Sequence, residues 1–290
     1  MAEQNQNPLS AYFRAPKMYT NIPSGGKFYG PEILTVPESN EFAIYPMTTK
    51  DELLLKNPDA LLNGEAVANL IKSCVPEIKE PKKMFSADVD ALLIAIRGAS
   101  GGDTVEVKAE CPLCSSSTSV NVSVDESLSA MQTLEDEYNI DISNGLKITA
   151  MPFSYANTVK AGVASFQSTR SMQSISELTD DMERLSAFNE SFVRLADLNF
   201  ELLVDSIRSI TYMTAEGENE TIVDKVIIRE FLENTESTTG KEIEEFINDV
   251  NGKGVKNEVE VMCENEECEN STKGFVAPIN FDPVNFFTGS

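Results

Sequence analysis

The sequence predicts an α+β fold in which two β-hairpins, far apart in the chain, close on each other around a mainly helical insertion. Two cysteine pairs lie about 150 residues apart, and each is reached by a run of alternating apolar and polar residues. Between the pairs, apolar side chains recur mostly at helical spacing. The first 45 residues carry frequent Pro and Gly, which indicates an extended N-terminal arm.

Composition and charge exclude several classes of partner. The chain has 290 residues, of which 41% are hydrophobic, so it can bury a sizeable core. Its 23 Lys and Arg stand against 47 Asp and Glu, and the net charge of −24 disfavours binding to nucleic acid or to an anionic membrane. No apolar run approaches the roughly 18 residues of a membrane span, so we expect no membrane insertion. The start of the chain lacks the pattern of a signal peptide, which predicts a protein made and kept in a cytosol.

The five cysteines and the absence of histidine narrow the chemistry. Without a secretory signal, cysteines in a chain of this length indicate metal ligands or free thiols rather than disulfides. Histidine, the commonest general base and metal ligand, does not occur. The sequence has no GxSxG motif, and SGGKF lacks the spacing of a phosphate-binding loop. We therefore expect that the chain is not an enzyme and that SGGKF forms a structural turn.

Residues 1–45 are predicted to form the extended N-terminal arm with short strands. The first 17 residues are polar and contain Pro8 and Pro16, which indicates a segment that stays flexible until it meets a partner. Turn signals separate three short β-type runs. These runs cover residues 28–29, 33–36 and 42–45.

Residues 46–100 are predicted to be a helical segment. Thr48 or Thr49 caps the first helix, which has two acidic residues in its first turn. Pro76 stops the second helix, and Gly98 is the C-terminal signal of the third. The three helices are predicted over residues 51–57, 63–74 and 86–97.

Residues 126–254 are predicted to form the mainly helical insertion. Charged and turn residues in AEGENET interrupt its helical pattern. The predicted elements are a helix at 125–138, a strand pair at 140–151 turning at 143–145, two or three helices within 155–212, and helices at 223–234 and 240–250. An apolar stripe at helical spacing is interpreted as ordinary core, and it consists of Phe188, Phe192, Leu195, Leu198, Leu202 and Ile207.

The cysteine pairs are predicted to lie at the tips of two hairpins that together form one β module, residues 101–125 plus 255–290. EVKAEC and EVEVMC each end a charged, alternating strand with a cysteine, and each pair is followed by a second alternating run. CPLC and CENEEC supply the four ligands, which are Cys111, Cys114, Cys263 and Cys268. Four thiolates at one tetrahedral site are a ligand set for Zn²⁺. Iron in the same cage is the alternative.

Four thiolates fill the coordination of a zinc ion, so the predicted site is structural and leaves no position for catalysis. The predicted fold class is thus α+β, with a zinc-clamped, zinc-ribbon-like β-hairpin module, a mainly helical insertion and an extended N-terminal arm. Cys74 lies on the apolar side of a predicted helix and is expected to be a buried small hydrophobe. Phe281, Phe286 and Phe287 near the C-terminus either pack on the hairpins or are buried in a neighbour.

Three blocks of the sequence resemble one protein family. They are IPSGGKFY, YPMTTKDELLLKNPDALLNGEAV, and the late cysteine pair together with PINFDPVNFF. In these blocks the chain resembles the baseplate hub proteins of T-even-like contractile-tailed bacteriophages. The resemblance implies a structural or assembly subunit of the tail baseplate hub that contacts other hub or tail proteins, including the tape-measure protein. It also implies a location in the virion, preceded by the host cytoplasm during assembly, and it brings no catalytic residues.

Two other functions remain open at this stage. Hairpins with four-cysteine cages also occur in zinc-ribbon nucleic-acid-binding proteins and transcription factors, which carry Lys and Arg around the hairpins. Here acidic residues outnumber basic ones between Val255 and Cys268. The second alternative is a tail-assembly chaperone that is absent from the mature particle.

Overall fold

A computed structural model describes residues 9–142, 145–176, 180–256 and 258–279, and within these ranges the chain is α+β, as the sequence predicts. The helices are α1 Thr49–Leu55, α2 Pro58–Leu62, α3 Glu65–Cys74, α4 Ser86–Ala99, α5 Val124–Ser129, α6 Tyr155–Ser176, α7 Asp181–Ser206, α8 Lys225–Asn234, α9 Ser237–Asn251 and α10 Asn270–Lys273. The strands are β1 Met18–Thr20, β2 Phe42–Ile44, β3 Thr104–Glu110, β4 Ser117–Ser123, β5 Tyr138–Asp141, β6 Lys147–Ala150, β7 Ile207–Met213, β8 Asn219–Ile222, β9 Glu258–Val261 and β10 Phe275–Pro278.

The largest core is helical and lies around α3 and α4, whose apolar side chains are almost completely buried. The short antiparallel pair β1–β2 packs against it. Thr48 caps α1 in a capping box: its side chain accepts the N–H of Asp51, and the Asp51 carboxylate accepts the N–H of Thr48 at 2.8 Å. The prediction of a helix that starts after Thr48 is confirmed. The helix α2 was not predicted; it starts at Pro58, behind the capping side chain of Asn57.

A second core lies between a four-stranded antiparallel sheet and three helices. The strand order is β5-β6-β7-β8, and α8, α9 and the C-terminal end of α7 cover the sheet. Ile148, Ile207 and Ile228 meet in this core, and none of them is exposed to solvent. The sheet makes this region less helical than the sequence predicts.

A buried carboxylate holds the turns that follow β1. Asp88, in the first turn of α4, accepts hydrogen bonds from the N–H of Ser24 at 2.8 Å and from the hydroxyl of Tyr29. Burial raises the pKa of Asp88 to about 6, although both hydrogen bonds lower it. Gly26 has a φ of +75°, in the region that favours glycine. SGGKF thus forms a turn, as predicted, but the β-type run predicted at 28–29 is wrong because the N–H of Tyr29 bonds back to the carbonyl of Gly26.

Arg14 fixes the described part of the arm to the helical core. Its guanidinium donates hydrogen bonds to the carbonyls of Pro46 and Ser73, both at 2.6 Å, and lies 3.5 Å from the carboxylate of Asp51. The arm is therefore anchored from Arg14 onward. The prediction that the first 17 residues are flexible is wrong at this point, because the guanidinium of Arg14 donates hydrogen bonds to two carbonyls of the helical core. The first eight residues lie outside the described ranges.

Two predicted helical boundaries are wrong because more distant partners compete for the backbone. The helix predicted at 125–138 stops with α5, because the N–H of Gln132 donates to the carbonyl of Gly254 and that of Leu134 donates to the carbonyl of Pro23. The prediction of helix throughout 155–212 is wrong from Ile207 onward, because this segment, with β-branched residues at Ile207, Ile210 and Thr211, pairs with β6 as strand β7. The first four residues of AEGENET lie in the turn between β7 and β8, and its last three belong to β8.

The predicted apolar stripe of α7 is only partly core. Leu202 and Ile207 are buried, but the side chain of Phe188 is 44% exposed and that of Phe192 is 62% exposed. The interpretation of the whole stripe as ordinary core is therefore wrong for its N-terminal half. Helical spacing predicted the stripe but not the absence of a covering element within the described part of the chain.

Candidate metal centre

The first cysteine pair lies at the tip of the hairpin formed by β3 and β4. Seven residue pairs, from Thr104↔Ser123 to Glu110↔Ser117, set its register. At the tip, the N–H of Cys111 donates to the carbonyl of Ser116 at 2.9 Å, and the N–H of Ser115 donates to the carbonyl of Cys111 at 2.8 Å. This tight turn confirms the hairpin that the sequence predicts and holds both thiols at one end of it.

The second cysteine pair lies at the tip of the hairpin formed by β9 and β10. The N–H of Cys263 donates to the carbonyl of Asn270 at 3.0 Å, and the N–H of Cys268 donates to the carbonyl of Asn265 at 3.0 Å. The short helix α10 then leads the chain into β10. These bonds fold the longer CENEEC spacing into a compact loop, so both of its thiols also reach the tip.

The two tips meet, and the four sulfur atoms lie within 4.8 Å of one another. The Sγ atoms of Cys111 and Cys268 are 3.8 Å apart, and those of Cys114 and Cys263 are 3.5 Å apart. Sulfurs at the corners of a tetrahedron with metal–sulfur bonds of about 2.3 Å are about 3.8 Å apart, whereas a disulfide bond is about 2.05 Å long. The four thiols are free, and their spacing fits a single tetrahedral ion.

Backbone and side-chain donors around the sulfurs favour thiolates. Burial raises the pKa of Cys111, but the N–H groups of Leu113 and Cys114 and the side-chain amide of Asn270 outweigh this effect and lower the pKa to about 6. Hydrogen bonds from the side chain and backbone of Ser116 lower the pKa of Cys114. Cysteine binds metals as the thiolate, so donors that stabilise the charged sulfur also suit a metal site.

The second pair has the opposite electrostatic character without a metal ion. The N–H of Asn265 lowers the pKa of Cys263, but burial and hydrogen bonding to the other cysteines raise it to about 12. The hydrogen-bond donors thus lower the pKa of the first pair, whereas burial and the neighbouring cysteines raise the pKa of the second pair. A bound cation removes this asymmetry, because a coordinating thiol is deprotonated by the ion's own charge.

Two residues that the sequence analysis did not identify contact the sulfur atoms of the cluster. Asn270 is buried, and its side-chain amide donates to the sulfur of Cys111 at 3.3 Å. The hydroxyl oxygen of Ser116 lies 3.2 Å from the sulfur of Cys114. Each follows a cysteine by two positions, and that spacing is the only signal in the sequence that indicates them.

Little apolar packing joins the two hairpins. Within the described ranges, their shared cluster of buried residues consists of Ala109, Val261 and Ala277, with a few partly buried neighbours. The N–H of Glu264 also donates to the hydroxyl of Thr118 at 3.3 Å. Two-stranded hairpins with so small a core are marginally stable in water, so contacts at the tips contribute much of what holds them together.

The fifth cysteine lies elsewhere, as the sequence predicts. Cys74 is fully buried at the end of α3, and burial raises the pKa of its thiol to about 11. Among the described residues, the four-cysteine cluster is the one group in which three or more Cys, Asp or Glu side chains converge in this way. The predicted aromatic contacts of Phe281, Phe286 and Phe287 lie outside the described residues.

These features define the class: an α+β protein in which four cysteines from two hairpin tips lie close enough together to hold one metal ion. In a comparison with protein-family models, residues 16–278 match the model described as T4 bacteriophage base plate protein. The chain therefore belongs to that family. No curated protein and no solved structure matches the chain.

Membership of the family identifies the chain as a structural protein of the phage baseplate, located in the tail of the virion. Other tail proteins are accordingly its partners. The resemblance noted in the sequence is confirmed at this level. Within the described ranges, none of the helices combines the length and the apolar character needed to cross a membrane.

Proposed function

We propose that this chain is a structural subunit of the baseplate hub and that one Zn²⁺, bound by Cys111, Cys114, Cys263 and Cys268, fixes its two hairpins together. The observation that supports the metal site most strongly is the convergence of four free sulfurs from two distant parts of the sequence at tetrahedral spacing. Zinc suits this set because it prefers four-coordinate thiolate sites and requires no redox partner.

In this role the metal ion is structural: it holds parts of the chain together and takes no part in a chemical reaction. Joining the tips of the two hairpins also ties together the ends of the intervening residues 126–254, which form the proposed insertion. The zinc-ribbon-like module would then be residues 101–125 plus 255–290, with the arm at 1–45 and the helical segment at 46–100 on its N-terminal side. Such a subunit presents a fixed surface for protein contacts to other hub or tail proteins, including the tape-measure protein.

The charge around the module argues against nucleic acid as its partner. Within the two hairpins the acidic residues are Glu106, Glu110, Glu258, Glu260, Glu264, Glu266, Glu267 and Glu269, and the basic ones are Lys108 and Lys273. Four thiolates bound to one Zn²⁺ add two further negative charges. A phosphate backbone would be repelled from this surface, so protein contacts are the better supported function.

The structural role predicts that the chain stays in the finished particle. Quantitative mass spectrometry of purified phage particles should find it at a constant ratio to the other tail proteins, both before and after a second round of purification. Cross-links from its exposed lysines should lead to proteins at the centre of the baseplate. A chain found in assembly intermediates but missing from purified particles would instead indicate an assembly chaperone, and cross-links confined to the baseplate periphery would contradict the hub assignment.

A further inference from the structure

Each hairpin tip carries one buried and one half-buried cysteine, and the buried cysteine of each tip contacts the half-buried cysteine of the other. The sulfur of the buried Cys111 lies 3.8 Å from that of the half-buried Cys268. The sulfur of the buried Cys263 lies 3.5 Å from that of the half-buried Cys114. The cluster therefore contains two sulfur pairs that join the hairpins, and each pair has one member that is accessible to solvent.

The location of the protein bears on the redox state of these thiols. The chain belongs to a phage baseplate family, which places it in the tail of the virion. Disulfides form and persist on virions outside the cell, whereas they are rare in a reducing cytosol. Thiols that are stable in a cytosol therefore meet oxidants once the particle has left its host.

Each of the two sulfur pairs can form a disulfide after a small shift. A disulfide bond is about 2.05 Å long, so the sulfurs of a pair have to approach by about 1.5–1.8 Å. The packing between the hairpins resists this shift only weakly, because their shared buried cluster within the described ranges is small. A bond within one hairpin, by contrast, has to form against the backbone hydrogen bonds that fix each turn.

We propose that the cluster is also a site of oxidative modification, at which a peroxide converts the metal-free thiols into two disulfides between the hairpins, Cys114–Cys263 and Cys111–Cys268. The half-buried thiolate attacks the peroxide: an S–O bond forms, the O–O bond breaks and hydroxide leaves, which gives a sulfenic acid. The buried thiolate of the other hairpin then attacks this sulfur, so that an S–S bond forms, the S–O bond breaks and a second hydroxide leaves. With the two thiol protons, each disulfide consumes one peroxide and yields two waters.

The consequence is that the hairpins stay joined in both chemical states. This inference deepens the proposed function, because it concerns the same four cysteines, but the disulfides do not require the metal ion. Cys111 and Cys268 are 157 positions apart in the chain. Covalent links that close so long a loop restrict the unfolded chain strongly. A particle that has lost the metal would thus keep the two hairpin tips together.

Peptide mapping of the full-length chain tests this proposal. Protein freed of metal by a chelator is treated with about two equivalents of hydrogen peroxide, unfolded, alkylated, and digested with trypsin without reduction. Trypsin leaves the first cysteine pair on the peptide 109–147 and the second pair on the peptide 257–273. We expect these two peptides to be joined by two disulfides. Cys74 is the internal control, because it is buried outside the cluster and should be recovered in alkylated form.

Double variants assign the pairing. Cys111→Ser with Cys268→Ser leaves Cys114 and Cys263, and peroxide should link the two peptides in most of this protein. The matched control is Cys263→Ser with Cys268→Ser, which leaves Cys111 and Cys114 in one hairpin. Its disulfide should form roughly tenfold more slowly, because the turn has to change to bring the sulfurs together. Both variants carry two serines in the cluster, so the loss of metal ligands is the same in each.

Amide hydrogen exchange shows whether the disulfides hold the hairpins together. Exchange at 258–279 should be slower in the oxidised chain than in the reduced, metal-free chain. Equal exchange in the two forms would overturn the proposal. Disulfides formed only within each hairpin, or sulfinic acids without linked peptides, would overturn it as well.

The metal content separates this inference from the proposed function. Protein that binds no zinc but forms both disulfides between the hairpins would contradict the zinc site and support the oxidative modification. Protein that binds one zinc but forms disulfides only within each hairpin would support the zinc site and contradict the modification.

Discussion

Cys111→Ser should remove the metal from the chain and release the second hairpin from the first. A serine hydroxyl is a poor ligand for zinc beside three thiolates, and the remaining three sulfurs lose the closed tetrahedral set. Elemental analysis of protein purified without added zinc should fall from about one zinc per chain to a small fraction of that value. Because the apolar contact between the hairpins is small, amide hydrogen exchange at 258–279 should rise sharply in the same variant.

Cys74→Ala is the control for this experiment, because it removes a buried cysteine that does not belong to the cluster. It should retain the full zinc content and the exchange protection of 258–279, at a stability cost of about 1 kcal/mol for the lost sulfur. Equal zinc content in the Cys111→Ser variant and the wild type would contradict the proposed four-cysteine zinc site. Lost zinc without a change in exchange would show that the hairpins hold together without the ion.

Asp88→Ala should destabilise the chain by about 2–4 kcal/mol, measured by urea unfolding. The carboxylate accepts the N–H of Ser24 and the hydroxyl of Tyr29, and alanine leaves both buried donors without that acceptor. The hydroxyl of Tyr29 in turn accepts the N–H of Phe85 at 2.8 Å, so the network joins the IPSGGKFY block to the start of α4. The energy required to bury the charge offsets part of this loss, which places the expected value within this range.

Asp125→Ala is the matched control, because Asp125 also lies in the first turn of its helix but is exposed. It should change stability by no more than about 0.5 kcal/mol. Combining Asp88→Ala with Tyr29→Phe should cost less than the sum of the single changes, by about 1 kcal/mol or more, because the two groups share one hydrogen bond. Strict additivity, or equal effects of Asp88→Ala and its control, would contradict the role of this network.

The sequence predicts those elements whose local signals and tertiary contacts agree. The capping residue Thr48, the valine alternation on both sides of CPLC, and the apolar faces of α8 and α9 all specify the structure that forms. Predictions fail where a distant group competes. The N–H of Gln132 donates to the carbonyl of Gly254, so the predicted helix does not continue there. The residues after α7 pair with β6 and form strand β7.

In the candidate site, too, some features can be predicted from local sequence signals and others depend on distant contacts. Matched strands before Cys111 and Cys263 are visible in the sequence, so the pairing of two distant tips can be predicted, and the four sulfurs do converge. The contribution of Asn270 cannot be predicted, because it depends on how α10 turns the chain back toward the first hairpin. The exposure of Phe188 and Phe192 cannot be predicted from the sequence either, because helical spacing identifies an apolar face but not what covers it.

Zinc-edge X-ray absorption on the purified full-length chain tests the central claim most directly. The account predicts about one zinc per chain, with four sulfur neighbours at about 2.3 Å and no oxygen or nitrogen in the first shell. Such a spectrum would establish that the two hairpin tips share one ion. A first shell of two sulfurs completed by lighter atoms, or protein that carries no zinc, would contradict it.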